Sequence, residues 1–255
     1  MKEREHKNTR QASTSIYTGS DESFQDIYLG LRNAEKRLYS DAEVLQLPKI
    51  AAGHLHYNEW RIRRASCGRL ISYLKKKKKW LRILEIGCGN GWLCHQLAEN
   101  LKAEVTGMDM NLLELNQAAR LFSHLPDLNF IYGDASVASF GDQKFDVIIF
   151  AASIQYFSSL PDIFQKCLGL LPAKGEIHIM DSRFYHASEL KPARERSANY
   201  FRKIGFEQMD GLYHHHSFAE LEGFPYKILF DPASLLNGWT GRKTPFHWLL
   251  IKPTA

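Results

Sequence analysis

The run Leu84-Glu85-Ile86-Gly87-Cys88-Gly89-Asn90-Gly91 constrains the fold of this chain more than any other stretch. The apolar residues Leu81, Ile83, Leu84 and Ile86 read as a buried parallel strand, and Trp92 to Asn100 reads as the helix that follows it. Three alternating glycines at the junction permit a sharp turn and let a ligand approach the backbone with no Cβ in the way. That is the layout of a nucleotide-binding βα unit. Two residues depart from the dinucleotide fingerprint G-x-G-x-x-G: its sixth position is Trp92, and Glu85 precedes the first glycine, where a pyrophosphate would meet a negative charge. An acidic residue there suits a ligand with a positive amino or sulfonium group.

The E-x-G-C-G-x-G run resembles motif I of the class I S-adenosylmethionine-dependent methyltransferases, and later landmarks of that family follow in order between residues 81 and 182. A second strand ends at Asp109, about 20 residues past the glycines, where the family's ribose-binding acid falls. Met110 matches the apolar residue on one adenine face, and Gly133-Asp134-Ala135 matches the acidic contact to the adenine amino group. The fourth strand, Phe145 to Phe150, opens onto Ala151-Ala152-Ser153-Ile154-Gln155-Tyr156, and the fifth runs from Glu176 to Asp181. The resemblance implies S-adenosyl-L-methionine as cofactor. It implies cofactor contacts from Glu85, Gly87, Cys88, Gly89, Gly91, Asp109, Met110, Asp134, Ala135 and Ala151, the three glycines making room for the ligand.

With 255 residues and 44% hydrophobic content, the chain can bury one good core. It has no apolar run long enough for a transmembrane helix, and residues 1–15 are too polar for a signal peptide. Four cysteines without a CxxC pair fit reduced thiols in a cytoplasmic protein.

Charge is uneven: 17 basic against 9 acidic residues up to position 80, and 16 against 19 beyond it. A basic appendage raises the alternative of an RNA-directed methyltransferase. Five of those charges are the single run Lys75 to Lys79, which reads as a solvated loop, and no aromatic residues interleave with it to stack bases. The fourth-strand exit also lacks the Asp/Asn-Pro-Pro-aromatic turn of enzymes that methylate exocyclic base amines. Nucleic acid is therefore the weaker partner, and no membrane partner is expected.

The expected architecture is α/β: a Rossmann-like, doubly wound, mostly parallel sheet with a C-terminal antiparallel hairpin and an N-terminal helical cap. Residues 1–15 read as a disordered tail, 16–80 as the cap and 81–255 as the core, with a lid-like loop inserted at 206–225. In the cap, Phe24, Ile27, Leu31, Ala34 and Leu38 share a helical face, Ser40 with Glu43 forms a capping box, and His56 to Leu74 makes a longer helix. Arg63 on that helix is a candidate to pair the methionine carboxylate bidentately, the alternative being an exposed arginine face. The C-terminal part is expected to open with a helix at Pro192, and Tyr226 to Phe230 and Phe246 to Ile251 read as the two hairpin strands.

The inserted loop carries Tyr213-His214-His215-His216 ahead of a second capping box, Ser217 with Glu220. Methyl transfer is an in-line displacement, and a hydroxyl acceptor must also lose its proton, which suits histidine at neutral pH. His214, His215 and Tyr156 are therefore the catalytic candidates, with a plain surface loop as the alternative for the histidines and packing against the cap for Tyr156. No metal site is expected, because consecutive side chains in an extended segment point to opposite sides.

The function expected is methyl transfer to a small-molecule acceptor, oxygen preferred over nitrogen. A protein that binds S-adenosylmethionine without transferring a methyl group stays open. An aminopropyl transferase is disfavoured, because its loop would read G-G-G-D-G rather than G-C-G-N-G. Neither the acceptor nor the oligomeric state is set by the sequence.

Overall fold

The apolar runs at 81–86, 103–109, 147–151 and 176–180 become strands covered on both faces, the burial that parallel sheets require. The structure, a computed structural model, describes residues 15–16, 22–234 and 244–253. Among these, eight strands form one sheet: β1 (Ser15–Ile16), β2 (Leu81–Ile86), β3 (Ala103–Asp109), β4 (Leu128–Tyr132), β5 (Val147–Ala151), β6 (Glu176–Met180), β7 (Tyr226–Phe230) and β8 (Trp248–Ile251). Their spatial order is β1-β4-β3-β2-β5-β6-β8-β7. The pairings from β1 through β6 are parallel, and β8 lies antiparallel between β6 and β7. This is the Rossmann-like sheet expected, with its switch point between β2 and β5, where the chain departs to opposite sides.

Seven α-helices accompany the sheet in the described residues: α1 (Glu22–Ala34), α2 (Asp41–Gln46), α3 (Tyr57–Lys75), α4 (Trp92–Asn100), α5 (Leu112–Leu121), α6 (Leu160–Gly169) and α7 (Ala187–Lys203). One face of the sheet packs Val105, Leu97, Leu115 and Phe122 together with Val44, Trp60, Leu70 and Leu74 of the helices before β2. The other packs Ile148, Phe164, Ile177 and Leu249. A third, smaller cluster joins Leu31 of α1, Phe201 of α7 and Met209 of the 206–225 segment.

Several expectations need correction. The tail expected at 1–15 lies outside the described residues except for Ser15, which joins Ile16 in β1 at the sheet edge, so the sheet begins before the cap. The helix expected at Pro192 starts earlier, at Ala187, because Glu189 returns to the backbone N–H of His186 at 2.9 Å and caps it. Pro192 then sits inside the helix, where the bond it cannot donate would go to Ser188, an exposed residue whose carbonyl water can serve.

The lysine run is partly fixed by ion pairs: Lys77 lies 2.7 Å from Glu176 and Lys79 lies 2.6 Å from Asp146. Both carboxylates stand at the amino ends of their strands, across the sheet from the glycine turn.

Gly91 has φ +70°, and a Cβ on it would lie 2.7 Å from Phe130 and 2.9 Å from the Ala118 methyl. Its missing side chain thus admits the sheet's own core. Gly91→Ala is expected to lower unfolding free energy by about 2–4 kcal/mol, from left-handed strain plus overpacking. Gly53→Ala, where nothing lies within 4 Å of the new methyl, is expected to change it by less than about 0.5 kcal/mol. Chemical denaturation of both variants checks the contrast.

Candidate active site

The carboxyl ends of β2, β3 and β5 are tied to one another before any ligand is considered. Past β2, the Gly87 amide donates to the Met108 carbonyl at 2.8 Å, and the Ser153 hydroxyl donates to the carbonyl of Ile86. A Cβ on Gly87 would run into Ser153, so that glycine is required by the β2–β5 approach. Asp109, ending β3, accepts from the Gly89 amide at 2.6 Å with one oxygen and from the Asn111 amide at 2.7 Å with the other. Gly89, at φ +52°, would aim a Cβ only at the Glu114 carboxylate, 3.6 Å away, and leaves the turn's upper surface clear.

Above these ends lies a cavity of about 920 Å³, bounded on its far side by α1 and α3. Glu85, Gly87, Cys88, Gly89, Asp109, Met110, Asp134, Ala135, Ala151 and Arg63 all line it, so ten of the eleven expected cofactor contacts share one space. The exception is Gly91, which packs against Phe130 instead. Arg63 is held toward the cavity by Glu59, which accepts from its Nε at 3.0 Å. Tyr156 also lines the cavity, in edge-to-face contact with Tyr28 at 5.5 Å and Tyr213 at 6.0 Å. Burial raises its phenol pKa against the opposing field of Arg32, so Tyr156 keeps its proton at neutral pH and is unsuited to act as a base.

The histidines are placed otherwise than expected. His214 and His215 line not the large cavity but a second one of about 280 Å³, together with Arg194, Asp210, His216 and Glu220. The 206–225 segment is fastened down: the His214 amide donates to the Gln155 carbonyl at 2.7 Å, and Tyr185 bridges to Ser217. His216 is spanned by Glu220 at 2.9 Å and the Ile154 carbonyl at 3.2 Å. His215 is joined by a hydrogen bond to the large cavity's wall at Ser197, whose Oγ is 2.9 Å from its Nε2. Among the described residues no cluster of ligating side chains has the arrangement of a metal site.

The structure adds Glu114, Asp181 and Arg32, which sequence patterns did not mark as site residues. Four buried carboxylates gather here: Glu85, Asp109, Glu114 and Asp181, each with its pKa raised by burial. Glu85 is pushed up to about 8, with a bond from the Cys94 thiol at 2.9 Å pulling the other way. Asp181 accepts from Ser66 at 2.7 Å and has φ +53°, and Ala152 after β5 has φ +58°; both line the cavity. Such strain in non-glycine residues concentrates at functional positions. Arg32 of α1 reaches Glu114 only at 3.6 Å, and its buried Nε has no hydrogen-bond partner. The sole sequence signal for Arg32 was its place on the polar side of an amphipathic helix.

Residues 83–175 match the family described as a methyltransferase domain. The matched stretch holds the glycine turn, Asp109 and Asp134, and over it the chain is similar to methyltransferase domains. Among curated relatives, it is 32% identical over 97 residues to a ubiquinone biosynthesis O-methyltransferase of Chelativorans sp., covering 37% of this chain and 38% of that protein. It is 27% identical over 175 residues to a 2-methyl-6-phytyl-1,4-hydroquinone methyltransferase of Synechocystis sp., covering 66% and 52%. The chain thus spans about two fifths to half of the length of these relatives. Among solved structures, the plantazolicin methyltransferase BpumL in complex with SAH superposes with TM-score 0.56 at 21% identity, over 90% of this chain and all of that one. The YcgJ protein from Bacillus subtilis gives TM-score 0.57 at 14% identity, over 75% of this chain and all of that one. At these identities the likeness to both is one of fold.

The donor set fits S-adenosylmethionine: a clear glycine turn, four carboxylates only partly offset by Arg32 and Arg63, and an Arg32 guanidinium whose Nε has no partner, at one cavity. Because Glu85 titrates near 8 when folded and near 4.5 when unfolded, the folded state holds the extra proton between those values. Stability from this group is therefore full below about pH 4.5 and declines as pH rises toward 8. Glu85→Gln is expected to match the wild-type melting temperature at about pH 5 and exceed it at about pH 8 in ligand-free protein, as read by calorimetry at the two pH values.

Proposed function

We propose that this protein transfers the methyl group of S-adenosylmethionine to an oxygen of a small, ring-bearing acceptor. The observation that carries the proposal is the continuity of the large cavity: the glycine turn and a chamber of aromatic rings (Tyr28, Tyr156, Tyr185, Phe201 and Tyr213) line one space. Its volume, about 920 Å³, stands near the top of the range of about 300–1,000 Å³ for small-molecule sites and suits two reactants side by side. The names of the ubiquinone and hydroquinone relatives support a ring acceptor.

In this reading Glu85 and Arg63 take the amino and carboxylate ends of the cofactor, Asp109 the ribose hydroxyls, and Met110 and Asp134 the adenine. When bound, S-adenosylmethionine supplies an electrophilic methyl on a sulfonium. The chain's own part is to align the acceptor, exclude water beneath α1 and α3, and dispose of the acceptor's proton. Burial keeps Tyr156 protonated, so it serves as a wall and a hydrogen-bond donor. His215 is the proton acceptor, and His214 has no part in the chemistry. The pairing of Lys77 and Lys79 at the opposite sheet edge weighs against a nucleic-acid partner.

Titration calorimetry with S-adenosylhomocysteine tests the pocket. Asp109→Ala and Gly89→Trp are each expected to weaken binding at least about tenfold, as loss of a charged acceptor or filling of the cleared surface implies. A change within about twofold for both would place the cofactor elsewhere. Incubation with S-adenosylmethionine and catechol or 1,4-hydroquinone, followed by mass spectrometry, is expected to show one added methylene on the acceptor. Tight binding with no product from any oxygen, nitrogen or carbon acceptor would instead mark a cofactor-binding protein without transfer.

A further inference from the structure

We propose that Ser197 and His215 form a two-residue proton relay that carries the acceptor's hydroxyl proton out of the large cavity into the second, solvent-facing one. The inference rests on the methyl-transfer reading above and deepens it by assigning the proton's route.

Three observations converge. Ser197 lines the large cavity and not the second, while His215 lines the second and not the large. The two are joined by the 2.9 Å contact between Ser197 Oγ and His215 Nε2. Tyr213 and Ser158 line both cavities, the Tyr213 ring 5.3 Å from His215, with Tyr185 on the imidazole at 5.6 Å. His215 is buried, whereas Arg194 and Asp210 beyond it are exposed, so a proton on the imidazole has water on its far side. The charged groups facing it are Arg194 and Arg196 of α7, Asp210, and the neighbouring His216. Burial and then Arg194 lower its pKa, leaving it neutral and able to accept a proton at pH 7.

The step balances without an added reagent. The acceptor O–H bond breaks and its proton passes to Ser197 Oγ as the serine's own proton passes to His215 Nε2, giving an imidazolium. The electron pair freed on the acceptor oxygen forms the new bond to the methyl carbon, and the pair of the broken carbon–sulfur bond stays on sulfur. His215 then returns its proton to solvent through the second cavity. Ser197 touches the acceptor and is catalytic; His215 acts through it.

The first test needs no turnover. Nitrogen-15 NMR of the full-length protein at about pH 7 is expected to show His215 as the Nδ1–H tautomer with Nε2 bare, because that nitrogen must accept from Ser197. An Nε2–H tautomer would overturn the relay. The second test compares catechol with 4-nitrocatechol, whose more acidic hydroxyl is already ionised at about pH 8, so that oxygen has no proton to shed. Ser197→Ala and His215→Gln are each expected to lower the ratio of catechol to 4-nitrocatechol turnover by about 100-fold, within the span of general-base catalysis, and Ser197→Thr to restore most of it. Equal losses on both acceptors would mean that the pair only ties α7 to the 206–225 segment. If wild-type protein binds S-adenosylhomocysteine yet methylates neither acceptor, the acceptor assignment fails, and the tautomer result alone decides the relay.

Discussion

One carboxylate holds the functional end of this molecule together. Asp109 spends one oxygen on the Gly89 amide and the other on the Asn111 amide, at 2.6 and 2.7 Å. The glycine turn after β2 and the start of α5 are thereby set against each other. Asn111 in turn caps α5 and donates to Glu114 at 2.8 Å, which carries the fixed geometry on toward Arg32 of the N-terminal helix. Without Asp109, two amides and a helix start would lose their partner in a buried place, where each unmet group is costly.

The same region carries a cost. Glu85, Asp109, Glu114 and Asp181 are four acidic groups in one buried space, and burial raises the pKa of each. A core of this kind is less stable than an apolar one unless something positive arrives. Arg32 and Arg63 meet part of that need, and a cationic ligand would meet more. The arrangement is a site whose own repulsion favours a particular charge in its occupant.

Much of the sheet was legible because its strands are short, apolar and bounded by glycine or charge. The helix Trp92–Asn100 falls where the residues after the glycine run placed it. Part of the large cavity's lining was legible for a related reason: the resemblance put Asp109, Asp134, Gly87 and Gly89 at or just past strand ends, and those ends meet at one cavity. What escaped depends on distance across the fold. Arg32 reaches the cavity from a helix laid over the strand ends, and Ser66 reaches it only by way of Asp181; no motif marks either as a site residue. Gly91 lies in the motif, yet whether a glycine faces ligand or core depends on Phe130, 39 positions later. The position of the histidines off the large cavity has the same kind of cause. Their loop reads as a lid, but the Gln155 carbonyl and Tyr185 fasten it with His215 lining the second cavity rather than the large one.

Trp92, the residue that first set the motif apart from a dinucleotide fingerprint, meets Trp60 of the cap edge to face at 5.2 Å, and Trp60 donates to the Tyr39 hydroxyl at 2.9 Å. Both indoles line the large cavity. Indole emission responds to local polarity and to nearby quenching groups, so this pair makes the joint between cap and core an optical reporter. Any molecule settling against the glycine turn changes the surroundings of two coupled fluorophores, with no label attached.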